Sequence, residues 1–222
     1  MPFETLDVAD LPGGGALHLI RSGTFYSIQY GDEELMGSHV RQSEQALATL
    51  TCDRLADRNG RVLIGGLGMG FTLGAALGAW GPSATIVVAE LVPKVIEWAR
   101  GPLAHIFGGS LADPRATVEL ADVHDVIVRS TNHFDAILLD VDNGPDGLIQ
   151  LENDRLYCNW GLCAAYAALR PAGILAVWSS YSDAGFYERL ERAGFDVDEI
   201  TIDADQYKDN VQHTIWLAAK PG

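Results

Sequence analysis

Residues 61–73 read Arg61-Val62-Leu63-Ile64-Gly65-Gly66-Leu67-Gly68-Met69-Gly70-Phe71-Thr72-Leu73. An apolar run of strand length leads into four glycines within six residues, and a helical pattern follows at once. Glycines lack the Cβ atoms that block close approach of a ligand, and a helix start offers free backbone N–H groups. The pattern is typical of nucleotide- or nucleoside-binding sites. We therefore predict that Gly66, Gly68 and Gly70 lie against a nucleoside cofactor.

An acid at the end of the next apolar run strengthens this interpretation. Residues 84–90 have strand character and end at Glu90, twenty positions after Gly70. A carboxylate in that place can accept hydrogen bonds from ribose hydroxyls. We predict that Glu90 binds the ribose of the cofactor.

Strand and helix patterns alternate from residue 61 onward. Strands are predicted over residues 61–65, 84–90, 115–120, 134–140, 172–179, 195–203 and 211–219, and helices over 70–79, 93–100, 122–130, 153–169 and 184–193. Such alternation indicates a parallel sheet covered by helices on both faces. No helix fits between the last two strands, so they should pair antiparallel. We predict an α/β fold with a Rossmann-like, class I methyltransferase-like sheet of seven strands, the last one antiparallel.

The N-terminal part of the chain has a different pattern. Residues 1–12 are predicted to be a loose terminus, and the alternating residues 16–21 and 24–30 a hairpin, with a possible short third strand at 34–36. A helix is predicted over residues 41–56. The sequence thus predicts a small N-terminal β-hairpin unit over residues 1–40 and a nucleoside-binding, Rossmann-like transferase domain over residues 41–222.

Composition and charge restrict the function classes. The 222 residues carry a formal net charge of −15, which disfavours a nucleic-acid partner and suits a cationic small substrate. The same acidity can also serve solubility alone. Apolar runs are shorter than a membrane span, no export signal is present, and the three cysteines and six histidines lack metal-ligand spacing. We expect a cytoplasmic protein without a membrane partner or metal; a homodimer stays open.

Polar residues follow four consecutive predicted strand ends, where ligands bind in open α/β sheets. After the glycines and Glu90, the third strand leads to Asp122 and the fourth to Asp140 and Asp142. A carboxylate beside the cofactor can orient an amine and take its proton, so we predict Asp140 and Asp142 to be catalytic. Asn143 in the same turn is a candidate substrate contact, although a turn of this composition can also simply cap the next segment.

Aromatic residues near the start of the following helix are weaker candidates. Tyr157 could form a wall of the substrate pocket. Aromatic residues at helical spacing are, however, more often part of the core.

Several segments besides the glycine loop carry a family resemblance. They read Glu34-Leu35-Met36-Gly37 followed by Gln42-Ser43-Glu44, Glu90-Leu91-Val92-Pro93, Asp113-Pro114-Arg115, Ala121-Asp122-Val123 and Phe134-Asp135-Ala136-Ile137-Leu138-Leu139-Asp140. From about residue 14 to the C-terminus the chain resembles the spermidine synthase-like (polyamine aminopropyltransferase) family of the class I methyltransferase-like superfamily. The resemblance implies that Glu90 binds the ribose, that Asp122 meets the adenine amino group and that Asp140 is the catalytic acid. It also places Gln42 in the cofactor site.

The chain departs from the family pattern at three places. The second Asp of the family's Asp-Ser-Ser-Asp-Pro has no clean equivalent in residues 140–145, Asp-Val-Asp-Asn-Gly-Pro. The family's glycine loop carries an acid that holds the amine of decarboxylated S-adenosylmethionine, where this chain has Gly68-Met69. The family's polyamine-binding helix motif is replaced by residues 45–49, Gln-Ala-Leu-Ala-Thr.

Three functions follow from these matches and departures. S-adenosylmethionine could donate a methyl group to an amine or other small nucleophile, which we favour slightly because the donor-amine acid is absent. Decarboxylated S-adenosylmethionine could instead donate an aminopropyl group to a diamine. The third hypothesis is a nucleoside-binding protein without catalysis.

Overall fold

A computed structural model describes residues 3–141, 144–145, 153–203 and 211–222. The predicted site residues Asp142 and Asn143 lie outside these ranges. Within the described ranges, no helix is both long and apolar enough to cross a membrane.

The N-terminal unit is a four-stranded antiparallel sheet. Its strands follow one another in space as in sequence: β1 (Glu4–Asp10), β2 (Ala16–Ser22), β3 (Phe25–Tyr30) and β4 (Glu33–Gly37). The predicted hairpin and third strand are present.

The prediction of a loose terminus over residues 1–12 is wrong, because β1 pairs with β2 along its length. An acidic side chain of this strand has distant partners. Asp7 accepts a hydrogen bond from Trp98 Nε1 at 2.9 Å and forms an ion pair with Lys94 at 3.2 Å. Local sequence does not show partners some ninety positions away.

The second sheet has seven strands, as predicted. They are β5 (Arg61–Gly65), β6 (Thr85–Glu90), β7 (Ala116–Leu120), β8 (Phe134–Leu139), β9 (Leu169–Ser179), β10 (Asp196–Asp203) and β11 (Gln212–Ala219). Their order is β10-β11-β9-β8-β5-β6-β7. Neighbours from β9 to β7 pair parallel, whereas β11 is antiparallel to both β9 and β10. The predicted methyltransferase-like sheet is confirmed.

Helices occupy the predicted intervals with small shifts, and one short helix, α4 (Ala104–Phe107), was not predicted. They are α1 (Gln42–Arg54), α2 (Phe71–Ala79), α3 (Pro93–Arg100), α4 (Ala104–Phe107), α5 (Val123–Val128), α6 (Asp154–Tyr157), α7 (Asn159–Ala168) and α8 (Ala184–Arg192). The helix predicted over residues 153–169 is broken at Cys158, whose backbone is extended. A Cβ at Gly161 would overlap the carbonyl oxygen of Arg155, so the two short helices pack against each other through a glycine.

The two sheets share buried apolar contacts. Leu19 of β2 and Ile28 of β3 belong to the same buried cluster as Ile64 of β5 and Val88 of β6. The two sheets share one buried core, so burial does not separate them at residue 40. The predicted domain boundary at residue 40 stays a prediction.

Arg115 explains one of the segments that carry the family resemblance. Its guanidinium donates to the carbonyl oxygens of Leu77 at 2.9 Å and Trp80 at 3.1 Å, at the C-terminal end of α2. Asp113 holds the guanidinium through Oδ1 at 3.0 Å and Oδ2 at 2.9 Å. The last carbonyls of a helix lack intrahelical donors and carry partial negative charge, so a fixed cation there stabilises α2. The Asp-Pro-Arg segment therefore serves the fold.

We predict that Arg115→Ala lowers the free energy of unfolding by about 2–3 kcal/mol, because it removes several hydrogen bonds to a charged group. Urea denaturation followed by circular dichroism measures this. Arg129→Ala is the matched control, since Arg129 makes one ion pair with Glu119 between two exposed side chains. The control should cost less than about 1 kcal/mol. Equal losses in the two variants would contradict the capping role.

Candidate functional site

A cavity of about 350 Å³ lies where the N-terminal sheet meets the carboxyl ends of the parallel strands. Its lining comes from β4, the start of α1, the glycine loop, the residues that follow β6, β7 and β8, and parts of β9 and β11. This is the place at which open α/β sheets bind their ligands. Its volume suits a small organic molecule or cofactor.

The glycine loop packs directly on the end of β8. Gly66 has a φ of +87°, and a Cβ on it would overlap the carbonyl oxygen of Asp140. Its N–H donates to Ala89 O at 2.9 Å, while the N–H of Asp140 donates to Gly65 O at 3.1 Å. Only glycine permits this approach. The loop predicted to bind the cofactor and the predicted catalytic carboxylate are therefore neighbours.

Glu90 holds the glycine loop in shape. One carboxylate oxygen accepts from Leu67 N at 2.9 Å and the other from Val92 N at 2.8 Å. Burial raises the pKa of the Glu90 carboxyl, while these backbone hydrogen bonds oppose the shift. Glu90 also lines the cavity. The N–H groups of Leu91 and Gly68 also act on this carboxyl, so a ligand hydroxyl would join a set of backbone donors.

Asp122 closes another side of the cavity. It caps α5 by accepting from His124 N at 2.9 Å, and its second oxygen forms an ion pair with Arg155 of α6. Ala121 and Val123 line the cavity beside it. An acceptor between two apolar side chains suits a planar base that carries an amino group. Sequence reasoning missed Arg155, because it comes from another helix.

Asp140 lines the cavity, and a residue of α2 hydrogen-bonds its carboxylate. Thr72 Oγ1 donates to Asp140 Oδ2 at 2.5 Å. Burial raises the pKa of the Asp140 carboxyl to about 6, against the lowering effect of the Thr72 hydrogen bond. A carboxyl that titrates near neutral pH is suited to proton transfer.

Glu44 is a second perturbed acid in the same cavity, and sequence reasoning did not assign it to the site. Burial, with the negative charge of Asp140 as the next cause, raises the pKa of Glu44 to about 7. Its position in the first turn of α1 conceals this role, because acids are common there through their interaction with the helix dipole. The only available sequence signal was its place in the segment Gln42-Ser43-Glu44.

Two predicted site residues lie elsewhere. Gln42 is exposed and does not line the cavity, because the inward face of α1 carries Ser43 and Leu47. Tyr157 is buried in the core, with its ring edge-on to Phe186. Its hydroxyl donates to Val141 O at 3.3 Å, so it supports the chain after β8 from behind the cavity lining.

The charged side chains that line the cavity are predominantly acidic. Its described lining includes five acids and two histidines but no lysine or arginine: Glu34, Glu44, Glu90, Asp122, Asp140, His39 and His213. Clustered acids in a site of reduced dielectric favour cationic ligands. The cavity therefore suits a positively charged donor or acceptor.

Comparisons with known proteins agree with this geometry. A spermidine synthase in complex with the transition-state analogue AdoDATO has a TM-score of 0.80 at 20% identity, over 97% of this chain and 73% of that one. Spermidine synthase from Thermotoga maritima has a TM-score of 0.77 at 18% identity, over 97% and 72%. A polyamine aminopropyltransferase from Synechococcus sp. (strain JA-3-3Ab) is 38% identical over 81 residues.

The chain resembles spermidine synthases in its fold. The structures share its fold, and the curated relative shares a segment of its sequence. That segment covers 36% of this chain and 26%, about a quarter, of the relative's length. No protein-family model matches the chain. The resemblance indicated by the sequence motifs is confirmed.

For this site we predict that Glu90→Ala weakens binding of the nucleoside methylthioadenosine at least about tenfold. Two hydrogen bonds from ribose hydroxyls to a carboxylate are lost, each worth about 1.5–3 kcal/mol. Calorimetric titration measures the dissociation constant. Glu97→Ala, which removes an exposed acid of α3, should leave it unchanged. An unchanged constant in Glu90→Ala would remove Glu90 from the site.

Proposed function

We propose that this chain is a transferase that moves an aminopropyl group from decarboxylated S-adenosylmethionine to a small cationic amine. One observation carries the proposal: Asp140, with its pKa raised to about 6, lies in the same acidic cavity as Glu90 and Asp122. Two carboxylates suited to a nucleoside thus stand beside one suited to proton transfer. The curated relative is named for aminopropyl transfer, and a structural neighbour binds an analogue of a transition state.

The donor would bind across the ends of β6 and β7. Glu90 accepts from the ribose hydroxyls and Asp122 from the adenine amino group, with the glycine loop against the nucleoside. The sulfonium carries a positive charge, which the acids of the cavity stabilise. The carbon bonded to sulfur would then face Asp140.

Asp140 would prepare the acceptor. An ammonium group has no lone pair, so it must give a proton to a base before its nitrogen can attack the carbon next to the sulfonium. Asp140 can take that proton and hold the amine in line with the breaking C–S bond. The C–S electron pair then stays on sulfur, and a neutral thioether leaves.

The sequence-based preference for methyl transfer is not supported by the comparisons. The preference rested on the absence of an acid at Gly68. In the structure, the side chain of Met36 occupies this space, since its Sδ lies 2.9 Å from the position of a Cβ on Gly68. Glu34, two residues before Met36 on β4, also lines the cavity. The pairing of β4 with β3 shifts register between Glu34 and Met36, and both residues line the cavity. We therefore propose that Glu34 binds the amine of the donor in place of the missing acid.

The experiment that tests this function offers the protein two donors. S-adenosylmethionine and decarboxylated S-adenosylmethionine are each incubated with 1,4-diaminobutane, and mass spectrometry identifies the group added. We expect aminopropyl transfer from the decarboxylated donor, lost in Glu34→Gln through weaker donor binding. Methyl transfer alone would overturn the proposal in favour of the methyltransferase hypothesis.

We predict that Asp140→Asn lowers the transfer rate by about 10²-fold or more while donor binding is retained, because the carboxylate acts in the transition state. In the wild-type protein the rate should rise with pH through about 6, as Asp140 loses its proton. Rate and donor dissociation constant are measured side by side. Full activity of the variant would refute the role, and loss of donor binding alone would move Asp140 to the donor site.

A companion variant tests the same carboxyl without removing it. Thr72→Val deletes the hydrogen bond that lowers the pKa of Asp140. The pKa should rise, so the pH–rate profile should move to higher pH. An unmoved profile would show that another group controls the rate.

A further inference from the structure

Glu44 is a half-buried acid that the mechanism above does not use. It lines the cavity with Asp140, and the Thr72 hydroxyl donates to Asp140 Oδ2 and lies 3.4 Å from the main-chain carbonyl oxygen of Glu44. The described lining offers these acids no lysine or arginine. The negative charge of Asp140 raises the pKa of Glu44, so the two carboxylates repel each other when both are ionised, and one proton held by the pair relieves the repulsion.

A hydrogen-bonded path leads away from Glu44. Ser43 Oγ lies 2.8 Å from Glu44 Oε2 and 2.8 Å from His213 Nδ1. Ser43 is fully buried, and His213 packs edge-on against Trp178 while lining the cavity. The path therefore joins a carboxyl of α1 to an imidazole of β11.

The hydroxyl of Ser43 has one hydrogen and stands between two groups that can each accept it. If Ser43 donates to Glu44, His213 Nδ1 must carry a hydrogen and donate to Ser43. If Ser43 donates to His213, Glu44 must be protonated and donate to Ser43. The two arrangements differ by one proton moved from Glu44 to His213, with no movement of heavy atoms.

We propose that Glu44 and Asp140 share one proton in the ligand-free protein, and that Ser43 passes this proton to His213 when a cationic amine binds. The second part rests on the proposed function. The ammonium group favours two ionised carboxylates, so the shared proton leaves Glu44 for Ser43 Oγ while the hydroxyl proton of Ser43 moves to His213 Nδ1. The imidazolium releases its other ring proton to water.

The proton balance closes over one turnover. After the shared proton has left, the ammonium gives one of its own protons to the carboxyl pair. Its nitrogen lone pair forms the new C–N bond, the C–S pair stays on sulfur, and the product nitrogen carries the positive charge. The pair again holds one proton, and one proton has gone to water. The path is reset when His213 loses its Nδ1 proton to water, regains one at Nε2 from water, and the Ser43 hydroxyl turns back toward Nδ1.

Other titratable groups face the same space. His39 lies between β4 and α1, Glu34 lies on β4, and Glu90 and Asp122 lie at the ends of β6 and β7. Glu90 is tied to backbone N–H groups and Asp122 to Arg155. Of these described acids, Glu44 is the one that hydrogen-bonds Ser43, so the path runs through Glu44.

The shared proton is tested without any substrate. In protein labelled with ¹³C at the glutamate side-chain carboxyl, the Glu44 resonance is identified by its absence from Glu44→Gln. It should titrate near pH 7 rather than at the ordinary 4.5, and at lower pH in Asp140→Asn, because the repelling charge is gone. Titration at the ordinary value in the wild-type protein would overturn the shared proton.

The path is tested by matched variants of Ser43, with decarboxylated S-adenosylmethionine and 1,4-diaminobutane as probes. Ser43→Ala breaks the path and should lower kcat at least tenfold with the donor dissociation constant unchanged. Ser43→Thr keeps the hydroxyl and should restore most of the rate. Wild-type kcat in Ser43→Ala, or equal losses in both variants, would overturn the path. Absence of all transfer in the wild-type protein would overturn the path together with the proposed function, whereas the NMR titration still decides the shared proton.

Discussion

The close packing of Gly66 on the carbonyl of Asp140 is the contact on which the site depends. It joins the turn after β5 to the end of β8, two parallel neighbours whose carboxyl ends open toward the same cavity. A side chain at Gly66 would push the two segments apart and separate the nucleoside loop from Asp140. Glu90 fixes the other side of the same turn through Leu67 N and Val92 N. In the proposed function, the geometry of donor and acceptor is thus set by one local arrangement.

The acid Glu44, which has a raised pKa in the cavity, lowers the stability of the protein near neutral pH. A pKa of Glu44 raised from 4.5 to about 7 corresponds to on the order of 3 kcal/mol that favours the protonated form. The native state binds more protons than the unfolded chain between these values, so stability is present at low pH and is lost as pH rises toward about 7. A cationic ligand offsets that loss by pairing with the ionised acids. The repulsion between acids that lowers the stability of the ligand-free protein therefore favours binding of a cationic ligand.

The sheet could be predicted from sequence because each strand and helix has a local pattern of apolar and polar residues. The glycine turn and the acids at the strand ends followed from the same reasoning, since the carboxyl ends of parallel strands meet at one edge. What could not be predicted depends on distant partners. β1 is held by pairing with β2 and by contacts of Asp7 with α3, and Arg155 reaches Asp122 only because the helix breaks at Cys158. Glu44 resembled an ordinary helix-start acid until packing placed it beside Asp140.

In the proposed function, a nucleoside binds against Glu90 and Asp122, and its reacting carbon lies at Asp140. A crystal structure of this protein with AdoDATO bound is the most direct measurement of that placement. We predict ribose hydroxyls within hydrogen-bond distance of Glu90, the adenine amino group at Asp122 and the part of the analogue that represents the acceptor nitrogen beside Asp140 and Glu44. Adenine bound outside the cavity, or the acceptor nitrogen directed away from both carboxyls, would contradict it.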